Sequence, residues 1–127
     1  MSKAILDTSV LIASTVAPLE GELAISVASL AELHFGVLVT REAAVRAERL
    51  RRLSELQRSF DALPVDHDVS VSYGQLAAAV AQAGRQPRAR VMDLLIAATA
   101  HAHGARLYTR NAQDLVGIEH LVDIVAV

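Results

Sequence analysis

The sequence contains no cysteine, which excludes disulfides, thiolate nucleophiles and zinc sites with thiolate ligands. It also contains no tryptophan and only 3% aromatic residues, so a stacking platform built on tryptophan is excluded. No run approaches the roughly 18 consecutive apolar residues that a membrane span requires. The first residues, 1–3, lead directly into a strand-like segment rather than into a signal peptide. We therefore expect a cytoplasmic protein without a membrane partner.

The composition predicts one α/β domain over residues 1–127. A chain of 127 residues is long enough to bury a full core. Hydrophobic residues make up 53% of it, and the scarcity of aromatics means that Leu, Val, Ile and Ala build this core, as in proteins whose parallel sheet is covered on both faces. The net charge is −2, from 12 basic and 14 acidic residues. If four of the acids bind a metal, the remainder is mildly basic, which is compatible with an RNA partner but does not argue for one.

Short apolar runs alternate with helical patterns along the chain. Strands are predicted over 4–6, 23–26, 63–65, 106–109 and 121–127, and helices over 10–13, 27–39, 41–58, 91–100 and from a cap at Asp68 to Ala83, before a stop at Gly84. This alternation predicts parallel strands joined by helical connections.

The helix predicted over 91–100 is apolar apart from one charge, Asp93. An ionised carboxylate without a partner is costly to bury. Asp93 must therefore lie in the first turn of the helix, pair with a base, or bind a metal. The first of these is the ordinary explanation, because the helix dipole favours an acid near the N-terminus.

Three further acids occur at or soon after the ends of predicted strands. Asp7 directly follows the first strand, Glu32 lies in the helix after the second, and Asp114 is the third residue of a short helix after the strand 106–109. Each alone has an ordinary explanation: Asp7 can cap a helix, and Glu32 can form a capping box with Ser29, although Ser26 is the better cap. Together, these acids occupy positions that a parallel sheet gathers at one edge.

Four carboxylates without counter-charge would repel and raise one another's pKa. Such a cluster calls for a hard divalent cation with oxygen ligands, Mg²⁺ or Mn²⁺ rather than zinc. A cation of this kind supports phosphoryl chemistry by activating water and stabilising the leaving oxygen. His101 and His103, at the end of the same helix as Asp93, are expected to interact with the helix dipole and not to bind metal.

The loop 84–90 contains Arg85, Arg88 and Arg90, and no acid, immediately before Asp93. Arginines beside an acidic cluster can bind the phosphates of a substrate, and ordinary surface arginines are the alternative. The helix over 41–58 is rich in charge, and its spacing predicts exposed ion pairs, Glu42 with Arg46 and Glu48 with Arg52. A solvated face is the default for this helix, and contact with RNA or a partner is the alternative.

Four blocks of the sequence resemble, in the same order, the motifs of PIN-domain nucleases. They are LDTS at 6–9, SLAEL at 29–33, MDLLIAATA at 92–100 and TRNAQD at 109–114. Each block alone is a weak signal, whereas the four in order are a strong one. The chain as a whole is similar to the VapC-type toxins of bacterial toxin–antitoxin pairs.

This resemblance implies a PIN-like three-layer sandwich, with helices flanking a central, mostly parallel sheet of four or five strands. It also implies an endoribonuclease dependent on Mg²⁺, with Mn²⁺ as a substitute. The implied metal and catalytic residues are Asp7, Glu32, Asp93 and Asp114, and Ser9, Thr109 and Asn111 match the family's polar supporting positions.

The resemblance further implies a structured RNA substrate, commonly tRNA or ribosomal RNA. A small VapB-type antitoxin is the implied partner, binding near the second and third helices, and a homodimer is the implied assembly. Leucines dispersed through the helix 41–58 also favour an exposed apolar surface. Two alternatives remain open: a nuclease that acts on DNA or processes RNA without an antitoxin, and a non-catalytic binding module.

Overall fold

A computed structural model describes residues 2–13 and 17–127. Within them the strands are β1 (Lys3–Leu6), β2 (Glu22–Ser26), β3 (Asp61–Leu63), β4 (Arg106–Thr109) and β5 (Ile124–Ala126). The α-helices are α1 (Thr8–Leu11), α2 (Val27–Val39), α3 (Ala43–Ser59), α4 (His67–Gln82) and α5 (Val91–Ala102). Two 3-10 turns cover Pro87–Arg90 and Ala112–Leu115. None of the helices in this part of the chain is long and apolar enough to cross a membrane.

The five strands form one sheet in the order β3-β2-β1-β4-β5, and every neighbouring pair is parallel. The central strand β1 has Ile5 in register with Ala24 on one side and with Leu107 on the other. The direction of strand addition reverses beside β1, because β2 and β3 follow on one side and β4 and β5 on the other. The carboxyl ends of β1 and β4 therefore flank the crevice where open α/β sheets bind ligands.

Side chains that alternate along the strands divide the core between the two faces of the sheet. Ile5 and Leu107 pack with residues of α4 and α5, whereas Leu6 and Tyr108 pack with residues of α1 and α3. Period-two alternation of this kind places successive residues on opposite faces. Helices thus cover both faces, and the predicted three-layer α/β architecture is confirmed, with all five strands parallel.

The buried helix α5 positions the first turn that contains Asp93. Ile96 and the three alanines at 97, 98 and 100 are completely buried. The helix stops at Gly104, whose φ of +59° is the left-handed conformation that glycine adopts readily. Because α5 then leads into the amino end of β4, its own N-terminus points towards the edge formed by the carboxyl ends of the strands.

Several predicted boundaries were wrong. The third strand ends at Leu63 and does not cover 63–65, since Pro64 has no N–H to donate to the neighbouring strand. Asp66, not Asp68, caps α4, and its carboxylate accepts a bond of 3.0 Å from the Val69 N–H. The first helix begins at Thr8, not at residue 10, and the last strand is shorter than 121–127.

The predicted ion pairs on α3 were also wrong. Arg46 donates to the Thr40 carbonyl at 2.6 Å, and Arg52 donates to the Leu11 carbonyl at 2.9 Å. The ion pairs of this helix instead join Arg51 to Glu48 and to Glu55. Carbonyls at the ends of neighbouring segments compete for arginines, and spacing within one helix does not reveal that competition.

Candidate metal and catalytic site

Asp7 lies at the carboxyl end of β1, where the chain turns into α1. Its backbone N–H donates to the Tyr108 carbonyl of β4 at 2.9 Å, which holds it beside the crevice. The carboxylate is only 7% exposed, and its Oδ2 accepts bonds from the Ser9 hydroxyl at 2.5 Å and the Thr109 hydroxyl at 3.0 Å. Asp7 is also the N-cap of α1, so the ordinary explanation holds as well.

Ser9 and Thr109 connect this carboxylate to the end of β4. Thr109 is completely buried and accepts a bond of 3.0 Å from the Asn111 N–H, while Ser9 Oγ accepts one of 3.0 Å from the Arg110 N–H. These bonds fix the orientation of both hydroxyls towards Asp7. Asn111 takes part through its backbone, and a supporting role for its exposed side chain stays a prediction.

Glu32 lies in the second turn of α2 and accepts a bond of 2.7 Å from the Thr8 hydroxyl. Ser26 caps this helix, as predicted, by accepting from the Ala28 N–H at 3.0 Å. Ser29, completely buried, is therefore not needed as a cap, and its hydroxyl lies 2.9 Å from that of Thr8. Sequence reasoning missed this pairing, although Ser29 lies one turn before Glu32 on the same face of the helix.

Asp93 and Asp114 share a cationic neighbour, Arg90. One guanidinium nitrogen lies 3.2 Å from Asp114 Oδ1, and the other lies 4.0 Å from Asp93 Oδ2. Asp93 is in the first turn of α5, and Asp114 is the third residue of its 3-10 turn, as predicted. The arginine loop 84–90 is therefore in contact with the carboxylates.

The four carboxylates interact electrostatically through Asp93. Burial is the largest cause that raises the pKa of Asp93, to about 6, and the negative charges of Asp7, Glu32 and Asp114 raise it further. The positive charge of Arg90 acts in the opposite direction. Asp7, Glu32 and Asp114, which come from separate sequence segments, thus each lie close enough to Asp93 to act on its charge.

The donor chemistry of this cluster fits a hard divalent cation, since it consists of carboxylate oxygens with hydroxyls behind them. Within residues 2–13 and 17–127, however, no three His, Cys, Asp or Glu side chains are arranged closely enough to hold a metal ion. Glu32 is directed to Thr8 and Asp114 to Arg90. Binding an ion would therefore require rotation of side chains whose backbones are already at one edge of the sheet.

The predicted arginines are not equivalent. Arg85 and Arg90 line a pocket of about 280 Å³ beside Asp114, whereas Arg88 is exposed outside that lining. At the opposite end of α5, Nδ1 of His101 lies 2.7 Å from the Ser72 hydroxyl.

The family model of the PIN domain matches residues 4–115. The chain belongs to the PIN-domain family. It is 38% identical over 100 residues to Ribonuclease VapC8 of Mycobacterium tuberculosis, covering 76% of this chain and 88% of that protein. It is 35% identical over 113 residues to Ribonuclease VapC5 of the same species, covering 84% and 82% respectively. These relatives confirm that this PIN domain is of the VapC type.

A solved structure leads to the same family. It is the crystal structure of VapBC-5 from Mycobacterium tuberculosis, described as a member of the VapBC family of toxin–antitoxin systems. This PIN domain matches it with a TM-score of 0.85 and 31% identity, over 100% of this chain and 98% of that one. The match confirms the family that the four ordered sequence blocks predict.

Proposed function

We propose that this PIN domain is a divalent-metal-dependent endoribonuclease and the toxin of a toxin–antitoxin pair. The observation that carries the proposal is the position of Asp7, Glu32, Asp93 and Asp114 around the switch point of the sheet, where the charges of the other three act on Asp93. The VapC ribonucleases among its relatives support RNA as the substrate class. Structured RNA, either tRNA or ribosomal RNA, is the substrate we propose, and residues 1–127 act as one domain.

In this proposal the four carboxylates hold Mg²⁺ or Mn²⁺ next to the scissile phosphate. The bound ion supplies the usual chemistry, which is to lower the pKa of a water and to stabilise the leaving oxygen. Ser9 and Thr109 keep the carboxylate of the buried Asp7 oriented by donating to it. The half-buried Asp93 contributes a negative charge, which burial and the neighbouring acids disfavour when no cation is bound.

The arginine loop offsets the repulsion between the acids and RNA. Arg85, Arg88 and Arg90 are proposed to contact substrate phosphates, because they lie on the loop and turn that lead directly into α5. Such contacts position an RNA without reading its sequence.

A second surface supports an antitoxin partner. A groove of about 620 Å³ between α1, α2 and α3 is lined by Glu32, Leu33, Arg49 and Arg52 among others, so it opens at one of the acids. Nearby apolar side chains are exposed, with Ile12 at 67%, Phe35 at 67% and Leu38 at 74%. We propose that a VapB-type antitoxin covers this surface. The homodimer and the cytoplasmic location stay predictions from the sequence.

The test is a cleavage assay on RNA and DNA oligonucleotides of the same sequence, in Mg²⁺. The wild type is expected to cut the RNA, and Asp93→Asn is expected to lose activity by at least about a hundredfold, because it removes one charge from the ligand set at nearly constant volume. Asp68→Asn is the matched control, since Asp68 is an exposed acid in the first turn of α4. Normal cleavage by Asp93→Asn, or cleavage of DNA alone, would refute the proposal.

A further inference from the structure

Arg90 brings a full positive charge into contact with two of the candidate ligands. It is the last residue of the 3-10 turn Pro87–Arg90, directly before α5. Its guanidinium lies 3.2 Å from Asp114 and 4.0 Å from Asp93, and its side chain is 41% exposed. The contact is therefore built by the loop and is open to solvent on one side.

We propose that Arg90 is an internal counter-ion that competes with the divalent cation for Asp93 and Asp114. This inference rests on the proposed function, since it assumes that these carboxylates bind the cation. In this role Arg90 sets how tightly the carboxylates hold the cation. Arg90 then acts as a positioning residue, in addition to any contact with substrate.

The other two acids have neutral partners. Asp7 accepts from the hydroxyls of Ser9 and Thr109, and Glu32 accepts from the hydroxyl of Thr8. A hydroxyl can keep such a bond while the carboxylate also binds a cation, because it contributes no positive charge. Arg90 differs, because its charge repels the cation and its guanidinium already contacts Oδ1 of Asp114.

We therefore expect cation binding to displace the guanidinium from Asp114. The pocket of about 280 Å³ beside Asp114 is lined by Arg90 itself, so the side chain has room to move. The displaced guanidinium remains next to the ion, where an RNA phosphate would be its natural partner. By linkage, RNA should then tighten cation binding to the wild type, and this coupling should weaken without Arg90.

The experiment measures Mn²⁺ affinity of the full chain by titration calorimetry, without RNA, for the wild type, Arg90→Gln and Arg88→Gln. Arg88→Gln is the matched control, because Arg88 belongs to the same turn, is exposed and lies outside the pocket lining. Breaking partly exposed ion pairs predicts that Arg90→Gln binds Mn²⁺ about three- to tenfold more tightly than the wild type. Arg88→Gln is expected to differ from the wild type by less than about twofold.

Equal or weaker Mn²⁺ binding by Arg90→Gln would overturn the inference, and so would an equal gain in Arg88→Gln. If Arg90→Gln does not fold, Arg90→Met is measured instead, because it also removes the charge but keeps an unbranched apolar stem, and tighter binding is again expected. Different results would refute the proposed metal site and the proposed role of Arg90. A wild type that binds no Mn²⁺ refutes the proposed metal site itself, whereas a wild type that binds Mn²⁺ and cuts RNA, with Arg90→Gln unchanged, refutes only the role of Arg90.

Discussion

Replacing Asp93 by Asn should stabilise the protein in the absence of divalent cations, even though it removes a proposed catalytic residue. The pKa of Asp93 is raised from 3.8 to about 6 by burial and by the neighbouring acids. At neutral pH the Asp93 carboxylate of the folded protein is therefore ionised, although burial and the neighbouring negative charges disfavour that form. Asparagine has a similar shape and no charge, so it relieves that cost.

The magnitude follows from the pKa difference between the folded and unfolded chains. Taken in full, it corresponds to roughly 3 kcal/mol of unfolding free energy lost at neutral pH. The side chain is 33% exposed, and solvent screening reduces this value, so we expect a gain of about 1–2 kcal/mol for Asp93→Asn. For a domain of this size the gain corresponds to an increase in Tm of roughly 3–8 °C.

The sign of the pH dependence is fixed by the direction of the shift. Below pH 4 the carboxyl is protonated in both states, so its neutral form costs the folded protein little. As pH rises from about 4 to about 6, the unfolded chain ionises first and the wild type loses stability relative to Asp93→Asn. Above about pH 6 the difference should be constant.

The assay is chemical denaturation of wild type, Asp93→Asn and Asp68→Asn in EDTA between pH 4 and pH 8. The control should show no gain, because exposed Asp68 lies at a helix N-terminus where its charge is favourable. Added Mg²⁺ should reverse the order by stabilising the wild type more than Asp93→Asn. A destabilised Asp93→Asn at pH 8 in EDTA, or a difference that does not change with pH, would refute this reasoning.

Three further predictions concern the supports, the substrate and the assembly. Thr109→Val should destabilise the fold by about 1–3 kcal/mol and lower cleavage further than this loss explains, because it removes one of the two hydroxyls that donate to the buried Asp7; denaturation and cleavage rates measured on the same preparation check this. The double variant Arg85→Ala and Arg88→Ala should weaken binding to all RNAs alike and flatten the salt dependence by up to about one unit of slope per arginine, measured in the Asp93→Asn background so that no RNA is cut; an unchanged slope would mean that neither arginine contacts phosphate. A homodimer is expected at micromolar concentration by light scattering, and a monomer would contradict it.

The sequence predicted the architecture well where local patterns and topology agree. The apolar runs at β1, β2 and β4 are bounded by polar residues, and the helix α2 coincides with the predicted 27–39. Parallel strands then gather whatever follows their carboxyl ends. This is why acids separated by up to 107 positions, from Asp7 to Asp114, can be predicted from the sequence to share one site.

The remaining features depend on contacts between segments, which no local pattern contains. In the sequence Thr8 cannot be distinguished from an ordinary capping residue, and only the packing of α1 against α2 reveals its bond to Glu32. Arg90 has no acidic neighbour within the loop 84–90, and its partner Asp114 comes from a turn after β4. The ion pairs predicted for α3 were wrong for the same reason, since Arg52 donates to the Leu11 carbonyl on another helix.

In the proposed mechanism, carboxylates from four segments act together with a divalent cation to hydrolyse RNA. The most direct measurement is the chemistry of the cleaved ends when purified protein cuts RNA in Mg²⁺, in Mn²⁺ and in EDTA. Attack by an activated water predicts products with a 5′-phosphate in either cation and no cleavage in EDTA. Cleavage that persists in EDTA, or products that end in a 2′,3′-cyclic phosphate, would contradict this mechanism.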